Sequence, residues 1–289
     1  MRKAFSLLLV GVFLAVLALL FAWFHFRSAF NPLDKVQKWF ILLGYDPSRT
    51  SVTAADVAGY DMAILDPDSH PELGLFDSRT ILIGYVSVGE AETYRAYWQK
   101  IKDRSWVLEE NPNWGGNYFV DVRNPEWRSI LIREVIPALT AQGFKGVFLD
   151  TLDTAEYLES LSPEKFGGSK QAMADLVRLI RQNYPDLLLI SNNGFAILDE
   201  IAPYLDGLLA ESVLSMPDFE KGGYRPVPEE DRAYKLKYLK DASAARRLPV
   251  FIIDYASKTD PVGRAQIARQ LWQMGFRPYV AEKNLSELS

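Results

Sequence analysis

The sequence predicts a (β/α)8 TIM barrel preceded by an N-terminal transmembrane helix. Eight short apolar runs recur between residues 39 and 282, stretches of helical period separate most of them, and the chain opens with a basic tip and a long apolar run. Uninterrupted apolar runs mark strands covered on both faces, the habit of a parallel sheet. Eight strands with helical crossovers in roughly 245 residues match the size and rhythm of the barrel. An open doubly wound sheet is the alternative. It is weakened because no glycine-rich phosphate loop follows the first strand.

The N-terminal element is the first in order. Arg2 and Lys3 precede an apolar stretch that runs to Phe26. That is about the 20 residues a helix needs to cross a bilayer, and more than the roughly 7–15 of a cleavable signal core. No small-x-small cleavage site follows, and Trp23, Phe24, His25 and Phe26 have the composition of an interfacial belt. The expectation is a signal anchor over residues 1–28, a tether over 29–37, and a folded domain over 38–289 held outside the cytoplasm. Secretion after cleavage is the alternative.

The eight strand candidates are WFILLGY (39–45), MAILD (62–66), TILIGYVS (80–87), GVFLD (146–150), LLLISNN (187–193), DGLLAES (206–212), PVFIIDY (249–255) and RPYVAE (277–282). Helical spacing of apolar residues covers 125–143, which stops on a glycine, and 169–184, which stops before Pro185. It also covers 229–247 and 260–275. Residues 88–124 are extra: a tryptophan-bearing insertion after the third strand, with one more strand at YFVDV (118–122).

Composition narrows the chemistry. The net charge of −5 does not suit a phosphate backbone, so nucleic acid is not the expected partner. The chain has no cysteine and two histidines, His25 in the apolar N-terminal run and His70. Thiol catalysis, Cys-ligated zinc and multi-His metal sites are excluded, and a Ser-His-Asp site could use only His70. Carboxylates, tyrosines, lysines and amides are left to do the work, and no metal or other cofactor is expected.

A parallel barrel keeps its active site at the C-terminal ends of its strands. Those ends carry Asp46, Asp66, then Tyr85 and Ser87 with Glu90 and Glu92 beyond, then Asp150, Asn192 with Asn193, Glu211, Asp254 with Tyr255, and Glu282. Turns favour Asp and Asn, which accounts for Asp46-Pro47 and Asp66-Pro67. Turn chemistry accounts poorly for Glu211, which is no turn former, and for Asp150, where Thr151-Leu152 continues the run. Alternation places Asp150 above Phe148, Glu211 above Leu209 and Asp254 above Ile252. Two carboxylates on strands four and six would then face one space. A retaining glycosidase holds such a pair about 5–5.5 Å apart and an inverting one about 6.5–9.5 Å, and strand spacing permits either. Asp150, Asp153 and Glu211 could also supply hard oxygen ligands to Mg²⁺ or Ca²⁺.

The ordered motifs YVSVGEAE (85–92), VDVRNPEW (120–127), GFKGVFLDTLD (143–153), SNNG (191–194), LLAESV (208–213) and DY (254–255) resemble the barrel domain of glycoside hydrolase family 114, the endo-α-1,4-polygalactosaminidase-like proteins. The hydrolase domain of Pel polysaccharide systems is similar as well. The resemblance spans about residues 38–283. It implies cleavage of α-1,4-linked galactosamine-rich polysaccharide, with Asp150 as nucleophile and Glu211 as general acid/base. Substrate contacts are then expected from Tyr85, Ser87, Glu90, Glu92, Asp121, Asp153, Asn192, Asn193, Asp254 and Tyr255. A non-catalytic carbohydrate-binding protein of exopolysaccharide metabolism is the competing expectation.

Overall fold

Eight parallel strands form one near-closed sheet in chain order: β1 (Trp39–Leu42), β2 (Met62–Leu65), β3 (Ile81–Ser87), β4 (Gly146–Asp150), β5 (Leu188–Asn192), β6 (Gly207–Glu211), β7 (Val250–Tyr255) and β8 (Arg277–Ala281). The computed structural model describes residues 31–288. The chain divides into two compact units, Met1–Lys35 and Val36–Ser289, and the barrel lies in the second. The expected transmembrane helix falls outside the described residues. Among those described, no helix is long and apolar enough to cross a membrane.

The registers carry one parity around the barrel. Ile64 pairs with Ile83, Tyr85 with Phe148, Phe148 with Ile190, Asn192 with Leu209, and Glu211 with Ile253. Partners in a parallel ladder share a face, so these residues form the inner face and Asp150, Asn192, Glu211 and Tyr255 crown it. No ladder joins β8 to β1 among the described residues. Side chains bridge that seam instead: Trp39 Nε1 donates to Arg277 O at 3.2 Å, and Arg277 Nε donates to Val36 O at 2.8 Å.

The outer layer is uneven. The 125–142 stretch is helical throughout, as its spacing predicts, but its middle turn, Leu131–Val135, is a π-helix. Pro137 explains this. It has no N–H to give, its ring would crowd the Arg133 carbonyl, and a wider turn relieves both. The helix ends at Gly143, with φ +110°. It packs closely on β3 because Gly84 has no side chain; a Cβ there would lie 2.2 Å from Leu139 Cδ1. The Ser169–Asn183, Glu229–Ala244 and Pro261–Gln273 helices also match expectation. Between β2 and β3 the chain makes only a short 3-10 turn, Leu73–Leu75.

The insertion after β3 is a small antiparallel sheet of three strands, Glu90–Glu92, Asn117–Val120 and Val107–Glu110, with Asn117–Val120 central. It docks at the C-terminal face. Val88 N–H donates to Asp150 O at 3.0 Å, and Gly89 packs so tightly that a Cβ would lie 2.1 Å from Thr151 O.

Candidate active site

The ends of β4, β5 and β6 bring three side chains together. The Asn192 amide Nδ2 donates to Asp150 Oδ1 at 2.7 Å and to Glu211 Oε1 at 2.7 Å. The two acceptor oxygens therefore lie no farther apart than twice 2.7 Å. Tyr255 donates its hydroxyl to the other Glu211 oxygen, Oε2. The Tyr85 phenol lies against Asp150. Two acids thus face each other with neutral donors around them and, among the described residues, no cation bonded to either carboxylate.

The electrostatics follow from that arrangement. Burial raises the proton affinity of Glu211, the charge of Asp150 raises it further, and the bonds from Tyr255 and Asn192 act against both. Burial pushes the Tyr85 and Tyr255 phenols well up, Tyr85 with help from the Asp150 charge and Tyr255 with help from that of Glu211. Asp153 is exposed to solvent, yet the protein around it and the charges of Asp150 and Glu211 raise it to about 6.

The residues after the three site positions share a strained backbone. Thr151, Asn193 and Ser212 have φ of +62°, +48° and +56°. Non-glycine residues rarely enter this region, a β-branched threonine least of all, and such strain clusters at functional sites. Each kink turns the chain away just past the side chain that points into the mouth. Local bonds stabilise two of them: Thr151 Oγ1 meets Ser87 Oγ at 2.9 Å and accepts from Gly89 N at 2.8 Å, and Asn193 N–H donates to Leu209 O at 2.8 Å.

Other expected contact residues have different partners. Ser87 is buried and donates to Glu90 O at 2.9 Å. Glu90 is buried under Asn111, at 2.9 Å, and Thr154, at 3.3 Å. Glu92 is buried against Arg95 at 2.8 Å. Asp121 is forked by Arg123, whose Nε and Nη2 lie at 2.8 and 2.7 Å. Asn193 Oδ1 accepts from Glu211 N at 3.4 Å. Asp254 stands on the opposite face of β7 from Tyr255, because Glu211 pairs with Ile253. It is fully buried, and its carboxylate accepts from Val213, Leu214 and Ser215 N–H at 2.6, 2.8 and 3.2 Å. The parity that put Asp254 above Ile252 holds, but on the outward face.

His70 is remote from the mouth. Its ring contacts Phe144 and meets Gln142 Oε1 at 3.1 Å, on the segment that enters β4 at the end opposite Asp150. Among the described residues a Ser-His-Asp site is thereby ruled out. Among the described residues no group of three or more His, Asp or Glu side chains is arranged to hold a metal ion. The Asn192 N–H, a donor, occupies the position between the carboxylates that a cation would need. Of the insertion tryptophans, Trp106 is core, Trp98 is half-buried and Trp114 is exposed, and the neighbouring Trp127 is core. Sequence reasoning missed the bridging role of Asn192, the Arg95 ion cluster, and Lys235, whose Nζ reaches the main chain of Glu211 at 2.8 Å.

Comparison with known proteins bears on the fold and the family. The chain is 26% identical over 238 residues to an uncharacterized protein of Thermotoga maritima, covering 74% of this chain and 72% of that one. It is 27% identical over 272 residues to one of Deinococcus radiodurans, covering 89% and 83%. The glycoside hydrolase domain of PelA from Pseudomonas aeruginosa superposes with a TM-score of 0.74 at 25% identity, over 88% of this chain and 97% of that domain. Ega3 of Aspergillus fumigatus, solved in complex with galactosamine, superposes at 0.64 with 16% identity over 86% and 92%, a likeness of fold. The model of glycoside-hydrolase family GH114 matches residues 26–289, and with that match the chain belongs to the family.

Proposed function

We propose that this protein is a retaining glycosidase acting on α-1,4-linked, galactosamine-rich polysaccharide, with Asp150 as nucleophile and Glu211 as general acid/base. One observation carries the reading: a single amide nitrogen holds both carboxylates, so their nearest oxygens lie no farther apart than twice 2.7 Å. That suits the about 5–5.5 Å of retaining enzymes and falls short of the about 6.5 Å at which inverting spacing begins. Burial and the Asp150 charge favour a proton on Glu211, as an acid requires.

In the first step Glu211 gives its proton to the glycosidic oxygen while an Asp150 oxygen bonds the anomeric carbon and the leaving chain departs. In the second, Glu211 takes a proton from water, whose oxygen displaces Asp150 from that carbon. Asn192 and Tyr255 hold the Glu211 carboxyl in plane through both steps. The exposed aromatics Tyr94, Trp114, Tyr157, Phe219 and Tyr234 lie on segments that leave the C-terminal ends of β3, β4 and β6, where they can stack on sugar faces. The acidic mouth of Asp150, Asp153 and Glu211 favours a sugar bearing an ammonium group.

The N-terminal segment is read as a membrane anchor that keeps the barrel outside the cytoplasm, on its basic tip and apolar length alone. Protease added to intact cells should then remove the barrel; full protection would refute the location. For the activity, full-length protein should release reducing ends from partially deacetylated α-1,4-galactosaminan, with the first NMR-visible product in the α configuration. A β first product would overturn retention. Polymer binding without any release would favour the non-catalytic alternative.

A further inference from the structure

Glu211 has an anchor that these steps do not use. Lys235, half-buried on the Glu229–Ala244 helix, donates from Nζ to the carbonyl oxygens of Glu211 at 2.8 Å and of Ser212 at 3.0 Å. Ser212 is the residue held at φ +56°. A strained non-glycine conformation persists only where its surroundings over-determine it. Here they do so from both sides. Ser212 N–H donates to Ile253 O at 2.9 Å, and the next three N–H groups end on the Asp254 carboxylate. Asp254 thus grips the turn by its N–H groups, and Lys235 grips it by its carbonyls.

We propose that Lys235 is a positioning residue for Glu211. Its ammonium fixes the Glu211–Ser212 turn that aims the carboxyl at Asp150, and it sets one positive charge behind that carboxyl. The inference rests on the acid/base reading of Glu211. The titratable groups that act on Glu211 or on Lys235 come from several elements: Asp150 on β4, Asp153 after it, Tyr255 and Asp254 on β7, and Asp231 on the lysine's own helix. Among these Lys235 is the cation, and its charge opposes the rise that burial and Asp150 impose on Glu211. A lysine suits the place because its ammonium is a compact point charge with three donors and can serve two carbonyls at once.

The test compares wild type, Lys235→Met and Lys235→Arg as full-length proteins. It measures kcat, KM and the pH profile of kcat/KM on deacetylated galactosaminan, and the ¹³C-carboxyl NMR titration of Glu211, assigned by its loss in Glu211→Gln. In Lys235→Met, kcat should fall about 10- to 100-fold with KM within about twofold, as for a group that acts in the transition state. The basic limb of the profile and the Glu211 titration should both move to higher pH, because the acid has lost a neighbouring positive charge. Lys235→Arg should restore the limb and most of kcat. If Lys235→Met does not fold, Lys235→Gln keeps a donor without the charge and should show the same shift. A folded, uncharged variant with wild-type kcat, limb and titration overturns the proposal. If the wild type cuts no polymer, the glycosidase reading falls instead, and the Glu211 titration alone decides the role of Lys235.

Discussion

Two groups of three carboxylates stand at the mouth of this barrel, and they differ in what sits at their centre. Asp66, Asp68 and Glu92 surround Arg95, which meets each at 2.8 Å. In the other, Asp150 and Glu211 share the neutral Asn192 amide, the neutral Tyr255 hydroxyl bonds Glu211, and Asp153 adds its charge to both acids. Burial raises Glu92 as it raises Glu211, but at Glu92 the Arg95 guanidinium, bonded through Nε, opposes the rise, and at Glu211 the Asp150 carboxylate adds to it. The first group is therefore an ionic clamp that ties the insertion to the end of β2. In the second, burial and the Asp150 charge favour a proton on Glu211, and the opposing charge of Lys235 reaches it from behind the main chain rather than through a carboxylate ion pair. The partner, rather than the acid, separates a structural carboxylate from a reactive one.

That contrast can be broken by substitution. Glu211→Gln or Asp150→Asn should lower kcat by about 10³-fold or more while thermal unfolding stays near wild type, since neither carboxylate forms a direct ion pair that the substitution would break. If Glu92→Gln abolished activity and left stability untouched, the division into clamp and reactive pair would fail. Arg95→Met should have the opposite signature. It strands the buried Glu92 and Asp66 carboxylates and should cost about 3–5 kcal/mol, read as a lowered urea midpoint. An unchanged midpoint would show that the clamp is decorative.

Tyr255→Phe removes one of the two bonds that hold the Glu211 carboxyl. It should lower kcat roughly 10-fold and move the basic limb of the pH profile upward, because that bond favours the ionised acid. Asp153→Asn should have the smallest effect on kcat, and its clearest signature is a pH-dependent stability. The surroundings raise Asp153 to about 6 from its usual 3.8, so between those values the folded chain holds a proton that the unfolded chain has lost. Stability from this group is present below about pH 4 and lost as the pH rises through 6. The Asn variant should melt higher than wild type above pH 6 and with it below pH 4. Parallel melting curves across that range would remove Asp153 from the repelling group.

Much of the barrel was legible in the sequence. All eight strands fall within the expected runs, because a strand covered on both faces writes itself as an apolar run. The extra segments were not. One strand of the three in the insertion was anticipated. The hairpin of Ser215–Pro217 with Tyr224–Pro226 was missed, as was the Thr154–Leu161 helix after β4. The hairpin strands are three residues long, carry proline, and turn through Gly222 and Gly223 at φ +74° and +77°, so they read as loop. At the mouth, Asp150 and Glu211 stood out because they end apolar runs without a turn former. Asp254 gave the same signal and faces the other way, since which face of β7 looks inward is set by its register with β6.

By itself, then, the sequence determined where the strands lie and which acids and amides cap them, because apolar runs and period-two alternation are local properties of the chain. Only the tertiary structure decided which of those acids met an arginine, which met an amide shared with another acid, and which ended buried on backbone N–H groups. Glu92 and Asp66, like Asp150 and Glu211, come from separate stretches of chain, and the charge each acid carries depends on distances of a few ångströms that arise when the barrel closes.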